Sequence, residues 1–333
     1  MESAKPVIGV IGSGSWATAL IKILTENNNQ VNWWVRHEEE VKHILDYKHN
    51  PAYLSAVEIH LDKVKPSVDI GKVVRDSEWL LLVVPAAFIK DVLKSIAPEL
   101  LKGKKIISAI KGMIPDENLL VTDFIHQHFG TDTIDLAVIA GPCHAEEVAM
   151  EKQSYLTVAA ENLTFAWQIC TLLSCHFINV HAVEDLYGVE YSAVIKNIIA
   201  IACGIAHGLN YGDNFQAVLV ANALQEIALF VNEINPKERI LSGSAYLGDL
   251  LVTTYSQFSR NRTFGNMVGR GYSVRSAQLE MEMIAEGYYA VKCIYEINIE
   301  LGLDLPIINT VYHILYDRIS PILEFRILQD NLK

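Results

Sequence analysis

Lys196 and Asn197 stand inside Tyr191-Ser192-Ala193-Val194-Ile195-Lys196-Asn197-Ile198-Ile199-Ala200, a run that is otherwise apolar almost all round. A helix through this run buries an ammonium, and desolvation lowers a lysine pKa by up to several units, which suits it to proton transfer near neutral pH. The competing reading is a lysine with a buried stem whose ammonium reaches water. Two further segments carry groups that match such a lysine. Gly248-Asp249-Leu250 supplies a carboxylate able to keep Lys196 charged or orient it. Ser259-Arg260-Asn261-Arg262 supplies a guanidinium fork beside an amide donor, a set suited to a phosphate. Both segments read as loops.

A second group of residues is suited to a dinucleotide. Gly12-Ser13-Gly14-Ser15-Trp16-Ala17 follows an apolar run and opens a helical pattern, the context that a glycine-rich dinucleotide fingerprint needs. Gly12 permits the tight turn, Gly14 lets the backbone approach a pyrophosphate, and Ala17 is small enough for a helix to pack closely on a strand. The phosphates then meet free backbone N–H groups at the positive end of the helix. Arg36 ends the next apolar run, where a cation accepts a 2′-phosphate and an acid binds a ribose. It favours NADPH over NADH, although Glu38 and Glu39 nearby offer the ribose alternative. Lys111 and Gly141-Pro142-Cys143-His144-Ala145 follow two later apolar runs, at the strand ends where open α/β sheets bind ligands. His144 reads equally as a general acid or as part of a cap.

These residues need a scaffold, and the first half of the chain alternates short apolar runs with helical patterns, as a parallel sheet with crossover helices does. Strands are predicted at 7–11, 30–35, 79–84, 105–109, 136–140, 155–159 and 177–180, with a helix at 15–26. Their apolar runs lack alternation, which predicts strands covered on both faces. Past residue 185 the spacing becomes 3 and 4, predicting helices at 187–205, 214–231, 288–301 and 307–316. The expected fold is α/β: a Rossmann-like, mostly parallel sheet domain over 1–189 and an all-α domain over 190–333, the boundary falling near Val189 without a linker. The length of 333 residues agrees with two domains at about 150 each.

Composition narrows the class of ligand. The net charge of −12 argues against nucleic acid, whose phosphate backbone needs a basic face, so an anionic ligand must meet a local cationic site. Residues 162–183 form the longest stretch free of Asp, Glu, Lys and Arg, but polar residues interrupt it every few positions, so no membrane span is expected. Met1 to Pro6 is a short polar lead without a signal-peptide pattern, which makes the cytoplasm the expected compartment. Five cysteines without CxxC or zinc-finger spacing predict buried free thiols and no structural metal.

In order along the chain, these motifs resemble the bacterial-type NAD(P)-dependent glycerol-3-phosphate dehydrogenase family. The matching segments are Gly12-Ser13-Gly14-Ser15-Trp16 with Thr18-Ala19-Leu20, Asn50-Pro51-Ala52-Tyr53-Leu54, Lys111-Gly112, Gly141-Pro142 with His144-Ala145-Glu146-Glu147, and Val194-Ile195-Lys196-Asn197-Ile198. Further along come Tyr211-Gly212-Asp213-Asn214, Gly248-Asp249-Leu250, Ser259-Arg260-Asn261-Arg262 and Glu286-Gly287. The resemblance implies reversible reduction of dihydroxyacetone phosphate to sn-glycerol 3-phosphate, a phospholipid precursor, with Lys196 as the acid/base. It implies substrate contacts from Lys111, Gly141, Cys143, Asn197, Asp249, Ser259, Arg260 and Asn261. It implies cofactor contacts from Gly12, Gly14, Ser15, Trp16, Arg36, His37, Tyr53, Lys111, Ala145, Arg260 and Glu286, with NADPH preferred and NADH accepted. Two positions depart from the family pattern: Ala17 replaces a third glycine, and Cys143 replaces a serine. A related two-domain dehydrogenase of 3-hydroxyisobutyrate or ketopantoate type is the rival enzyme. A regulatory protein that binds cofactor without turnover is the rival outside enzymes, and its sign would be a replaced lysine. A homodimer and a monomer are both compatible with these residues.

Overall fold

The computed structural model describes residues 5–281 and 285–333; the first four residues of the polar lead lie outside them. The chain divides into two compact units, one of Met1–Ile110 with Val121–Leu186 and one of Lys111–Leu120 with Tyr187–Lys333. The excursion of residues 111–120 into the second unit has no counterpart in the periodicity of the sequence.

The first unit is built on an eight-stranded sheet. Its strands are β1 (Ile8–Ile11), β2 (Val31–Trp34), β3 (Val64–Ser67), β4 (Trp79–Leu82) and β5 (Lys105–Ser108), then β8 (Leu136–Ala140), β9 (Ser154–Ala159) and β10 (Ile178–Val183); β6 (Met113–Ile114) and β7 (Leu119–Leu120) form a separate hairpin in the second unit. The order is β10-β9-β8-β5-β4-β1-β2-β3. Every neighbouring pair is parallel except β8 with β9. From β1 the chain runs outward through β2 and β3, then returns to β4 on the other side of β1. The C-terminal ends of β1 and β4 therefore form the switch point where such sheets bind ligands. β1 and β8 are buried along their whole lengths, as strands covered on both faces must be.

β3 is a strand that the sequence pattern hides. Its residues Val64-Lys65-Pro66-Ser67 neither alternate nor form an apolar run, and Pro66 cannot donate to a ladder. Its place at the sheet edge explains why they suffice: only β2 pairs with it.

The second unit is helical apart from the β6–β7 hairpin among its described residues. Its axis is Leu186–Gly208, buried at every position from 188 to 206. This helix and Asp213–Ile234 are long and apolar enough to cross a membrane. The first is a core helix, its apolar window wholly buried, and the second lays Leu219, Ala223, Ile227 and Phe230 on the same core. Arg260–Gly269 crosses the axis unusually closely. A Cβ on Gly204 would stand 2.1 Å from the Arg262 carbonyl oxygen, and one on Gly265 2.1 Å from that of Ile201. Gly208 and Gly269 repeat the pattern one turn on, so two glycines four apart on each helix let the backbones touch.

The five cysteines are free, Cys175 half-buried and the others buried. Burial raises the Cys203 and Cys293 thiols to about 12, which makes them inert core residues.

Candidate functional site

In the helical unit, Lys196 is buried and its ammonium forms an ion pair with Asp249 Oδ1. The reading in which the ammonium escapes to water is thereby excluded. Asp249 is itself only 1% exposed, and its Oδ2 lies 3.7 Å from Lys111 Nζ. One carboxylate thus stands between two ammonium groups. Asn197 Nδ2 donates to the Lys111 carbonyl oxygen at 2.8 Å, tying the third segment to the axial helix. Burial pushes Lys196 down to about 7, with Lys111 adding to the effect and Asp249 opposing it. A lysine with that pKa exchanges a proton readily at neutral pH.

The local folds explain this convergence. Asp249 opens the helix Asp249–Tyr255 directly after the π-turn Ser244–Gly248, so it is not in a loop as the sequence suggested. Its main-chain carbonyl accepts the Thr253 hydroxyl at 2.6 Å. Lys111 is delivered by the β6–β7 hairpin, whose Met113 and Leu120 are fully buried in the helical core. At its tip, Asn118 Nδ2 donates to Glu296 Oε2 at 2.9 Å, and Asp116 pairs with Lys292 at 3.3 Å.

Ser259-Arg260-Asn261 is also not a loop. Ser259 is a buried N-cap whose hydroxyl accepts the Arg262 N–H at 3.3 Å, and Arg260 opens the helix. The buried Asn261 accepts the Gly287 N–H on Oδ1 at 2.9 Å. Gly287 in turn touches the axial helix, since a Cβ there would lie 2.5 Å from the Asn197 carbonyl oxygen. Lys111, Lys196, Asn197 and Asp249 are therefore one cluster, and Asn261 joins its edge through Gly287. The Arg260 side chain is exposed and joined to no other described residue, and Glu286 is half-buried at the start of Glu286–Leu301.

The other predicted site residues belong to the sheet unit. Gly12 has φ +129°, and a Cβ on it would stand 2.5 Å from the Val83 carbonyl oxygen beyond β4. Only glycine fits this switch-point turn. Gly14 is the N-cap of Ser15–Glu26, a twelve-residue helix with no side-chain cap, and a Cβ there would meet nothing within 4 Å. A helix start without a side-chain cap and with room beside its N-cap glycine suits a pyrophosphate. Arg36, exposed beyond β2, makes no hydrogen bond or ion pair with a described residue, and the exposed His37 stands at the N-cap position of the helix Glu38–Tyr47 without a side-chain cap bond. Together these features fit a dinucleotide. Gly141 has φ +109° beyond β8, with Cys143 and Ala145 buried just after it; Trp16 and Tyr53 are half-buried and Ser15 buried.

Two residues shape the glycine loop in roles that the sequence did not assign to them. Trp33 Nε1 donates to the Gly12 carbonyl oxygen at 2.7 Å from a fully buried ring. Asn50 Nδ2 donates at 2.9 Å to both the Ser13 carbonyl oxygen and the Thr18 hydroxyl, while its Oδ1 accepts the Ala52 and Tyr53 N–H groups. The asparagine in Asn50-Pro51-Ala52-Tyr53 was the available signal. The partners of its Nδ2, more than thirty residues away, could not be read from spacing.

Comparison with known proteins adds the following. Residues 7–166 match the model of the NAD-dependent glycerol-3-phosphate dehydrogenase N-terminus, and residues 185–324 match that of the C-terminus. The chain is 32% identical over 311 residues to glycerol-3-phosphate dehydrogenase [NAD(P)+] of Bacillus subtilis strain 168, covering 93% of this chain and 90% of that one. The crystal structure of a glycerol-3-phosphate dehydrogenase from Coxiella burnetii superposes with a TM-score of 0.91 at 28% identity, over 98% and 99% of the two chains. A ketopantoate reductase from Ralstonia eutropha shares the fold alone, with a TM-score of 0.59 at 13% identity over 98% and 99%.

Proposed function

The chain belongs to the NAD-dependent glycerol-3-phosphate dehydrogenase family, and on that premise we propose that it reduces dihydroxyacetone phosphate reversibly to sn-glycerol 3-phosphate, with Lys196 as the acid/base. The observation that carries this reading is the buried Lys196–Asp249–Lys111 arrangement. Gly12, Gly14, Ser15 and Arg36 would hold the dinucleotide, with Trp16, His37, Tyr53, Ala145 and Glu286 as further contacts. When bound, its nicotinamide would supply the hydride for the reduction at C2. As the C2 oxygen gains charge, the Lys196 ammonium passes it a proton and is left as a neutral amine. In the reverse direction the amine takes that proton back. Asp249 holds the ammonium in place, and Asn197 keeps Lys111 beside it. Arg260, Asn261, Ser259 and Lys111 would bind the substrate, with Gly141 and Cys143 as additional backbone contacts, so a small cationic site meets an anion in an acidic protein.

With Cys143 in place of a serine, its backbone N–H is the group we assign to substrate, because a thiol is a weak donor. A cytoplasmic enzyme supplying a phospholipid precursor is the setting we infer. Turnover of dihydroxyacetone phosphate at least a hundredfold better in kcat/KM than of ketopantoate, or of 3-hydroxyisobutyrate in the oxidising direction, is the expected result. Comparable turnover of a hydroxy-acid substrate would overturn the substrate assignment.

Arg36 carries the inference that NADPH is preferred. A guanidinium binds the 2′-phosphate by charge-assisted hydrogen bonds, and NADH has no such group. Arg36→Ala is expected to raise the KM for NADPH tenfold or more and to change that for NADH less than threefold. Equal effects on both cofactors would mean that Arg36 does not read the 2′-phosphate.

A further inference from the structure

Ser192 lies one helical turn before Lys196 on the axial helix. It is 3% exposed, and its hydroxyl has no hydrogen-bond partner among the described residues. Hydroxyls inside helices usually bond the carbonyl four residues back, as Thr18, Thr25, Thr253 and Thr254 do in this chain. Ser192 does not. An unmatched buried hydroxyl is costly, so its presence calls for an explanation.

Its place along the axial helix provides one. Long helical side chains lean toward the preceding turn, and the residues three and four positions before Lys196 are the small Ala193 and Ser192, on the same face of the helix. In the opposite direction along the helix stands the Asn261 corner: Gly287 abuts the Asn197 carbonyl, and Gly204 abuts that of Arg262. The order along the axis is therefore Ser192, Lys196, then Asn261 with Arg260. A three-carbon phosphate ester with its phosphate at the Arg260–Asn261 end and its carbonyl at Lys196 extends its remaining carbon toward Ser192.

We propose that the Ser192 hydroxyl is a specificity-determining group that hydrogen-bonds the substrate's C1 hydroxyl. This rests on the reading of dihydroxyacetone phosphate as the substrate. A site that matches a substrate hydroxyl rejects an analogue without one, because the buried serine then stays unpaired. No bond to Ser192 is made or broken in the reaction.

The test compares dihydroxyacetone phosphate with hydroxyacetone phosphate, in which a methyl group replaces the hydroxymethyl, in the wild type and in Ser192→Ala. The ratio of kcat/KM for the two substrates is expected to fall at least tenfold in the variant, equal to about 1.4 kcal/mol. The melting temperature is expected to stay level or rise, because the substitution removes an unmatched hydroxyl. Ser192→Thr, which keeps the hydroxyl, is expected to retain more of the ratio than Ser192→Ala. An unchanged ratio, or a parallel loss on both substrates, would overturn the proposal while leaving the enzyme's activity on dihydroxyacetone phosphate intact as a separate result. Absence of that activity in the wild type would overturn the functional reading and this one with it.

Discussion

Lys196→Ala is expected to lower kcat for dihydroxyacetone phosphate reduction by roughly 10²–10⁴-fold, the usual worth of a positioned acid/base. That corresponds to about 3–5 kcal/mol of barrier. The fold should survive the change, because Asp249 keeps Lys111 as its counter-charge at 3.7 Å. Arginine should not rescue the variant: a guanidinium stays protonated in proteins and cannot act as the base for the reverse reaction. A loss below tenfold, with protein that melts normally, would remove Lys196 from the proton-transfer step. The same pKa sets a pH dependence in the intact enzyme. Reduction uses the ammonium and should fall as pH rises through about 7, whereas oxidation uses the amine and should rise through the same region. A stopped assay at several pH values in each direction reads both limbs.

Asp249→Asn is the second large effect. The substitution keeps the shape of the side chain and deletes the charge that stands between Lys196 and Lys111. Asp249 opposes the burial that lowers the Lys196 pKa, so without it that pKa falls further. At neutral pH the lysine is then mostly amine and cannot donate. Reduction is expected to drop about a hundredfold at neutral pH, in line with the loss of general-acid catalysis, and more than oxidation does. Its alkaline limb should move to lower pH. Breaking a buried ion pair from one side costs about 3–5 kcal/mol, of which part is recovered as Lys196 sheds its proton, so the melting temperature should also fall. An alkaline limb that stays in place would show that Asp249 does not hold the proton on Lys196.

The scaffold was legible where each element obeys a local rule. Ser15–Glu26 follows from the glycine turn before it and an unbroken helical pattern, and Leu136–Ala140 from a short apolar run. What escaped depends on partners distant in sequence. β3 is a strand because β2 offers it an edge, although Pro66 and Lys65 argue against it locally. Ser259-Arg260-Asn261-Arg262 read as a loop, yet it opens the helix Arg260–Gly269, whose Gly265 and Gly269 let it lie against Gly204 and Gly208 far away in sequence.

The site followed the same division. Lys196 stood out because a lone charge in an apolar helix is conspicuous, and the glycine loop because its turn requires Gly12. How Lys111 reaches Asp249 was not readable, because it depends on a ten-residue excursion that joins the helical unit. Trp33 and Asn50 support the glycine loop through hydrogen bonds that span 21 and 37 residues, and nothing in their local pattern separates them from ordinary strand and turn residues.

Reduction of dihydroxyacetone phosphate by the buried lysine with a nicotinamide cofactor is read from the decay of reduced-nicotinamide absorbance when the substrate is added to the purified protein, with NADPH and NADH in parallel. Substrate-dependent decay that is faster with NADPH and largely abolished by Lys196→Ala is the predicted result; no decay with either cofactor would rule out this reaction.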